Sequence, residues 1–251
     1  MTYASTTKHL TALLEGHEIT YDLLWALFKP NTVVYTTCFG TGKPRCVKYQ
    51  CGEERTTDNK VEYFHLECCY VDFDGKVFGE TSMELAILKF RGTKRINSLD
   101  AFPLEYHPNK DEVKAHLVEC GRKFVSLMGV HHRQYRGDAF YMRKGQPVKV
   151  PVNSRIMIDR VFFQEANPNY TRPRINESAK QDSSLEAWIF GTDDRSTNQS
   201  DQVKSTGKDP AEMDEDDLIL CSPTVPGFSY GNKLWGEQNS LVAYRPEVTL
   251  G

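Results

Sequence analysis

The stretch Gly40-Thr41-Gly42-Lys43 ends as a phosphate-binding loop ends, with glycines that let backbone N–H groups approach an anion and a lysine to meet its charge. The full pattern also needs a glycine five residues before Gly42 and a hydroxyl residue after the lysine. Thr37 and Pro44 stand there instead, and proline offers neither an N–H nor a magnesium-binding hydroxyl. In MDEDDLIL the acids precede the apolar run, the reverse of a magnesium-holding strand end. Turn chemistry therefore reads 40–44 as a hairpin turn. Cys46 and Cys51 are separated by four intervening residues and Cys68-Cys69 are adjacent. Adjacent strand residues face opposite ways, so the last two do not share one ion, and buried thiols are the simpler reading. His131 and His132 follow a predicted helix that carries His116; a helix C-terminus favours a positive imidazole, so a structural role is expected. No Ser/His/Asp or Cys/His order suggests a nucleophile. No catalytic, cofactor-binding or metal-binding residue is assigned, and no cofactor is expected.

A basic stretch has more to offer. Residues 121–160 hold nine Lys and Arg against Asp138 and Asp159, with Tyr135, Phe140 and Tyr141 interleaved. Such a mixture can grip phosphates and stack bases, or dock an acidic protein. It can equally be a solvated face or meet acids of its own chain. The binding-surface candidates are Arg133, Tyr135, Arg136, Tyr141, Arg143, Lys144 and Arg155. Arg155 and Asp159 lie four apart on a predicted strand, share a face, and are expected to pair.

The elements that would position these groups follow from periodicity. Short helices are predicted near 6–15 and 20–28, the second with Thr20 as N-cap and an apolar face of Leu23, Leu24, Leu27 and Phe28. NTVVYTTC, RCVKYQC, residues 61–73 and KVFGETSMELAILKF read as strands, with Asp74-Gly75 as a tight turn. The clearest helix is 110–129, opened by an Asn109/Glu112 capping-box-like pair and striped by Val113, Leu117, Cys120, Phe124, Leu127 and Met128. DAFYMRK, PVKVPV and SRIMIDRVFF return to strand patterning. The expected fold is α+β, a mainly antiparallel barrel-like or sandwich core with one long packed helix and short N-terminal helices.

Composition sets the domain plan. The chain has 251 residues and a formal net charge of -3, yet residues 192–217 alone hold nine acids against three bases. That segment has almost no large apolar residue and reads as a flexible acidic loop. The plan is an N-terminal helical extension (1–18), a β-rich core (19–163), a variable acidic loop (164–217), a returning strand (218–235) and a tail (236–251). No apolar run reaches the roughly 20 residues that span a bilayer, and the first residues lack a secretory leader pattern. Seven cysteines at irregular spacing suit reduced thiols, hence a cytoplasmic or nuclear protein with no membrane association. Sequons at Asn169, Asn176 and Asn198 are expected to be unused.

Several pieces in order carry a resemblance: ITYDLLWALFKPNTVVY (19–35), YVDFDGKVFGE (70–80), the Phe90–His107 run ending FPLEYH, YRGDAF (135–140), SRIMID (154–159) and PGFSYGNKLW (226–235). Together the chain resembles a fungal domain of unknown function that stands N-terminal to AAA-type ATPase cores. The resemblance implies a non-catalytic recognition or regulatory module that binds a protein partner or substrate, an AAA-type motor among them. After Trp235 only GEQNSLVAYRPEVTLG follows, without a phosphate loop, so ATP binding and hydrolysis are not expected of this chain. A nucleic-acid-binding module using 121–160 and a fragment of a full ATPase are the alternatives.

Overall fold

The computed structural model describes residues 3–143, 146–166, 208–233 and 240–241. Helix α1 (Tyr3–Glu15) turns through His17, at a positive φ of 54°, into β1 (Glu18–Thr20). A 3-10 turn at Tyr21–Leu23 leads into α2 (Leu24–Leu27). Leu23, Leu24, Leu27 and Phe28 are all buried, as their spacing predicts. Thr20 precedes the turn but makes no side-chain cap. Two long hairpins follow: β2 (Val33–Thr37) with β3 (Pro44–Thr56), and β4 (Glu62–Phe73) with β5 (Phe78–Leu88). The short β6 (Thr93–Arg95) reaches back to pair with β1, and β7 (Phe102–Pro103) pairs with β2.

The result is an open five-stranded antiparallel sheet in the order β5-β4-β3-β2-β7. The strand alternation explains why it stays open. Phe64, Leu66 and Cys68 of β4 face a core built with Ile19, Leu24 and Phe28, whereas Val71 faces a second core. Closing a barrel would need one face as interior and the other as exterior. Here both faces are covered, so the sheet is a middle layer and the barrel-like alternative gives way to a layered α+β fold. At the β4–β5 turn Asp74 Oδ1 accepts from the backbone N–H of Lys76 and Val77, both at 2.8 Å, and Gly75 sits at φ +103°. The turn spans the four residues 74–77, longer than the two-residue reading of Asp74-Gly75.

The second core lies under α3 (Lys110–Ser126), β8 (His131–Arg143) and β9 (Gln146–Ile158). Leu117, Phe124 and Leu127 of the predicted stripe are buried, and Glu119 pairs with Lys123 at 3.5 Å. The capping box is only half formed: Asn109 Nδ2 donates to Glu112 Oε2 at 3.3 Å, but the Asn109 side chain caps no backbone N–H. After α4 (Arg160–Ala166), the chain is described again from Lys208, where it bridges Phe78.

The sequence reads as an acidic loop to residue 217, with a strand from 218. Instead Asp214 accepts from the Asp217 N–H and opens α5 (Glu215–Ile219). Leu218, Ile219, Leu220 and Cys221 enter the second core, and the Val71 backbone bonds both Leu220 and Ser222. Apolar residues directly behind a capped acidic turn anchor it. β10 (Phe228–Ser229) and β11 (Ser240–Leu241) flank the hairpin, giving the order β10-β9-β8-β11. The three sequons, acidic residues 193–201 and most of the tail lie outside the described residues. No described helix is long and apolar enough to cross a membrane.

Candidate functional site: a basic hairpin face and a polar cleft

β8 and β9 pair over thirteen residues, from His131↔Ile158 to Arg143↔Gln146. Alternation sends Tyr135, Ala139, Val152, Ile156 and Ile158 inward. Tyr135 is 1% exposed and its hydroxyl donates to the Asp138 carbonyl at 2.8 Å. It is a core residue, which corrects its place among the surface candidates: inward strand parity puts its ring under the hairpin. Phe140 is buried as well. Its ring packs where a Cβ on Gly40 would stand, 2.3 Å from the nearest ring atom. Gly40 is therefore the seat of an aromatic ring. Lys149 Nζ donates to the Thr41 carbonyl at 3.4 Å, tying the same turn to the hairpin.

The outward face keeps Arg136 and Arg155. Arg155 lies opposite Gln134 and Arg136 opposite Asn153, so the two guanidinium groups are diagonal neighbours on one face. Arg133 and Arg143 are exposed towards the two ends of β8, and Tyr141 is half-buried. Lys144 lies outside the described residues. Among the described residues Arg133, Arg136, Arg143 and Arg155 form no ion pair. The expected Arg155–Asp159 pair is not made, because the Asp159 carboxylate accepts from Phe162 N–H at 2.8 Å at the start of α4. Next to Arg155, Tyr230 donates its N–H to the Arg155 carbonyl at 3.1 Å. Its exposed ring stacks on His132 at 6.2 Å and meets Phe228 edge-on at 5.3 Å. Sequence reasoning missed this aromatic corner, since Tyr230 comes from a segment about a hundred residues away in the chain. His131 keeps its expected structural role, its Nε2 lying against the Met128 carbonyl at the end of α3.

A cleft of about 440 Å³ forms elsewhere, between β2 and the 97–108 run. Tyr35, Thr37, Asn97, Asp100, Phe102 and His107 are among its lining residues. His107 stacks on Phe102 at 6.1 Å and leans on Tyr35 at 4.7 Å. Its Nδ1 accepts from the Asn109 N–H at 3.1 Å, which leaves Nε2 as the proton-bearing nitrogen of the neutral ring. Burial, with a smaller contribution from the Cys46 thiol, raises the Tyr35 hydroxyl above its usual range, keeping it a neutral donor. No Lys or Arg lines the cleft, so its chemistry suits a polar neutral or cationic group.

The thiols behave as structural groups. Burial pushes Cys46, Cys68, Cys69 and Cys221 up to about 12, far from nucleophilic thiolates at neutral pH. Cys68 faces one core, while Cys69 Sγ donates to Glu80 Oε2 at 3.4 Å on the other side. Among the described residues no three His, Cys, Asp or Glu side chains gather at metal-binding distance.

Comparison with known proteins adds one finding. The family model described as Domain of unknown function (DUF7025) matches residues 9–108. A domain of unknown function is found there. The matched segment runs from within α1 through the 3-10 turn at Leu104–Tyr106, holds the whole five-stranded sheet and the whole cleft, and ends before α3 and the hairpin. No curated protein matches the chain, and no solved structure does.

Proposed function

We propose that this chain is a non-catalytic recognition or regulatory module that holds an acidic protein partner on the outward face of the β8–β9 hairpin. The observation that carries the reading is the set of exposed arginines on this hairpin, Arg136 and Arg155 above all, without acidic partners among the described residues. The aromatic corner of His132 and Tyr230 beside them supplies apolar contact area. The sequence resemblance to domains that precede AAA-type ATPase cores supports the same role, with such a motor among the proposed partners and the cytoplasm or nucleus as the compartment. The nucleic-acid reading is disfavoured by one specific fact. Tyr135 and Phe140, two of its three stacking rings, are buried.

The test is direct binding of the full chain to a fluorescent poly-glutamate peptide and to an oligouridylate of equal charge. The proposal expects salt-sensitive peptide binding that weakens about tenfold in the Arg136→Glu/Arg155→Glu double variant. Tighter binding of the oligouridylate, or binding unchanged in the double variant, would overturn it.

A further inference from the structure

At one end of the five-stranded sheet the interior carries more positive charge than it can pair. Asp72 and Arg160 are both buried, and Arg160 Nη2 donates to Asp72 Oδ2 at 3.2 Å. Asp72 Oδ1 accepts the Phe73 N–H at 2.8 Å, so the single carboxylate already has a partner on each oxygen. Arg45 stands beside this pair, its guanidinium 4.1 Å above the Tyr70 ring. Tyr70 and Asp72 are two apart on β4 and therefore face the same way. The cluster thus holds two guanidinium groups, one carboxylate and one phenol. Burial raises the Tyr70 hydroxyl above its usual range, and the nearby Asp72 charge adds to that, so the phenol brings no negative charge.

The unmatched charge is visible atom by atom. Arg45 Nε, Arg45 Nη2 and Arg160 Nε are buried with no hydrogen-bond partner. Arg160 is only 8% exposed. Buried donors without acceptors are costly, and those on a charged group most of all. A guanidinium presents its N–H groups as a planar fork, the geometry that receives two oxygens of one carboxylate or phosphate. Arg45 and Tyr70 are half-buried, which puts the cluster at the rim of the core, within reach of solvent.

We infer that Arg45 and Arg160, held in place by Tyr70 and Asp72, form a binding site for one oxyanion, a phosphate or carboxylate group. The site is independent of the hairpin face. It balances the second guanidinium and accepts from the three orphaned N–H groups. Arg45 is the specific recognition residue, since Arg160 is already committed to Asp72.

Thermal unfolding of the full chain in an oxyanion-free, low-salt amine buffer, with phosphate, phosphoserine amide, acetate or chloride added at matched ionic strength, tests this. A saturable rise in Tm of roughly 3–6 °C is expected once the oxyanion exceeds its Kd tenfold. The same rise should be lost in Arg45→Met. Phosphate against phosphoserine amide separates a free ion from a group carried on a larger molecule, and a saturable response to either upholds the site. If Arg45→Met does not fold, Arg45→Lys serves instead. It keeps the charge but not the fork, and should raise the Kd about tenfold, read by ³¹P line broadening of phosphate. Equal responses in wild type and the Arg45 variants mean general salting effects and overturn the proposal, as does a wild type that responds to phosphate and acetate no more than to chloride.

Discussion

The helix α3 and the β8–β9 hairpin both carry positive side chains, and they dispose of that charge in opposite ways. On α3, Lys114 meets Asp216 at 3.6 Å and Arg122 approaches Glu215 at 4.0 Å, both acids belonging to α5. On the hairpin, Arg136 and Arg155 meet no acid among the described residues. Charge alone does not explain the difference, because the hairpin is the more basic of the two. Packing does. Leu218, Ile219 and Leu220 plug into the core beneath α3, and the Leu218 carbonyl lies against Gly121 so closely that a Cβ there would stand 2.2 Å from it. The acids of α5 are carried to α3 by their apolar neighbours. The lesson is that burial chose the docking site and electrostatics followed, since exposed pairs of this kind contribute little.

That ordering can be broken by experiment, and the largest effect is expected at the anchor. Ile219→Ala removes a fully packed side chain and should cost about 2–5 kcal/mol. Denaturant unfolding measures the loss, and hydrogen exchange should show α5 released first. A loss below about 0.5 kcal/mol would mean the anchor is not the cause. Gly121→Ala comes next. It pushes a methyl into the Leu218 backbone and should cost about 1–3 kcal/mol, with exchange rising in 208–221 rather than in the hairpin.

The ion pair between Lys48 of β3 and Glu80 of β5 gives a smaller, pH-dependent effect. Burial works to raise the Glu80 carboxyl, but its hydrogen bond and ion pair with Lys48 outweigh this and hold it below its ordinary range. Lys208, which pairs with Asp217, adds to the same pull. A carboxyl depressed on folding stabilises the protein above its unfolded pKa, near 4.3, and loses that contribution as pH falls through the lower folded value. Wild type should therefore lose more stability than Glu80→Gln between about pH 5 and pH 3, followed by thermal unfolding across that range. Parallel pH curves for the two would show that the Lys48–Glu80 pair adds no pH-dependent stability. The smallest effects are expected from the surface charges. Lys114→Ala should cost about 0.2–1 kcal/mol, and Arg136→Glu should change stability by no more than about 0.5 kcal/mol while weakening peptide binding. A large destabilisation by Arg136→Glu would show that the hairpin charge is structural after all.

Local patterning made much of the scaffold legible. The stripe over 110–129 marks a helix observed at Lys110–Ser126, and period-two reasoning placed Cys68 and Cys69 on opposite faces. The candidate face was read only in part. The basic stretch is where Arg136 and Arg155 come together, but sequence does not say which aromatic residues of a strand point inward. On sequence alone Tyr135 reads as a surface residue, whereas its ring is buried. The β1–β6 pairing joins Glu18–Thr20 to Thr93–Arg95 across some seventy residues, and no local signal announces it. Strand spacing gives Asp159 to Arg155, yet a helix begins there and the Phe162 N–H claims the carboxylate.

By itself the sequence determined the 110–126 helix, the strands of the five-stranded sheet's two hairpins, the turn chemistry at Asp74, the apolar face of 20–28 and the uneven charge, because each depends on residues within a few positions of one another. Tertiary structure decided the rest. It made the five-stranded sheet a middle layer with a core on each side, and set α5 against α3. It brought Tyr230 to His132, paired Arg160 with Asp72 and set Arg45 over the Tyr70 ring. Those outcomes depend on which distant faces meet, and apolar burial selects among such meetings before any single charge or hydrogen bond can.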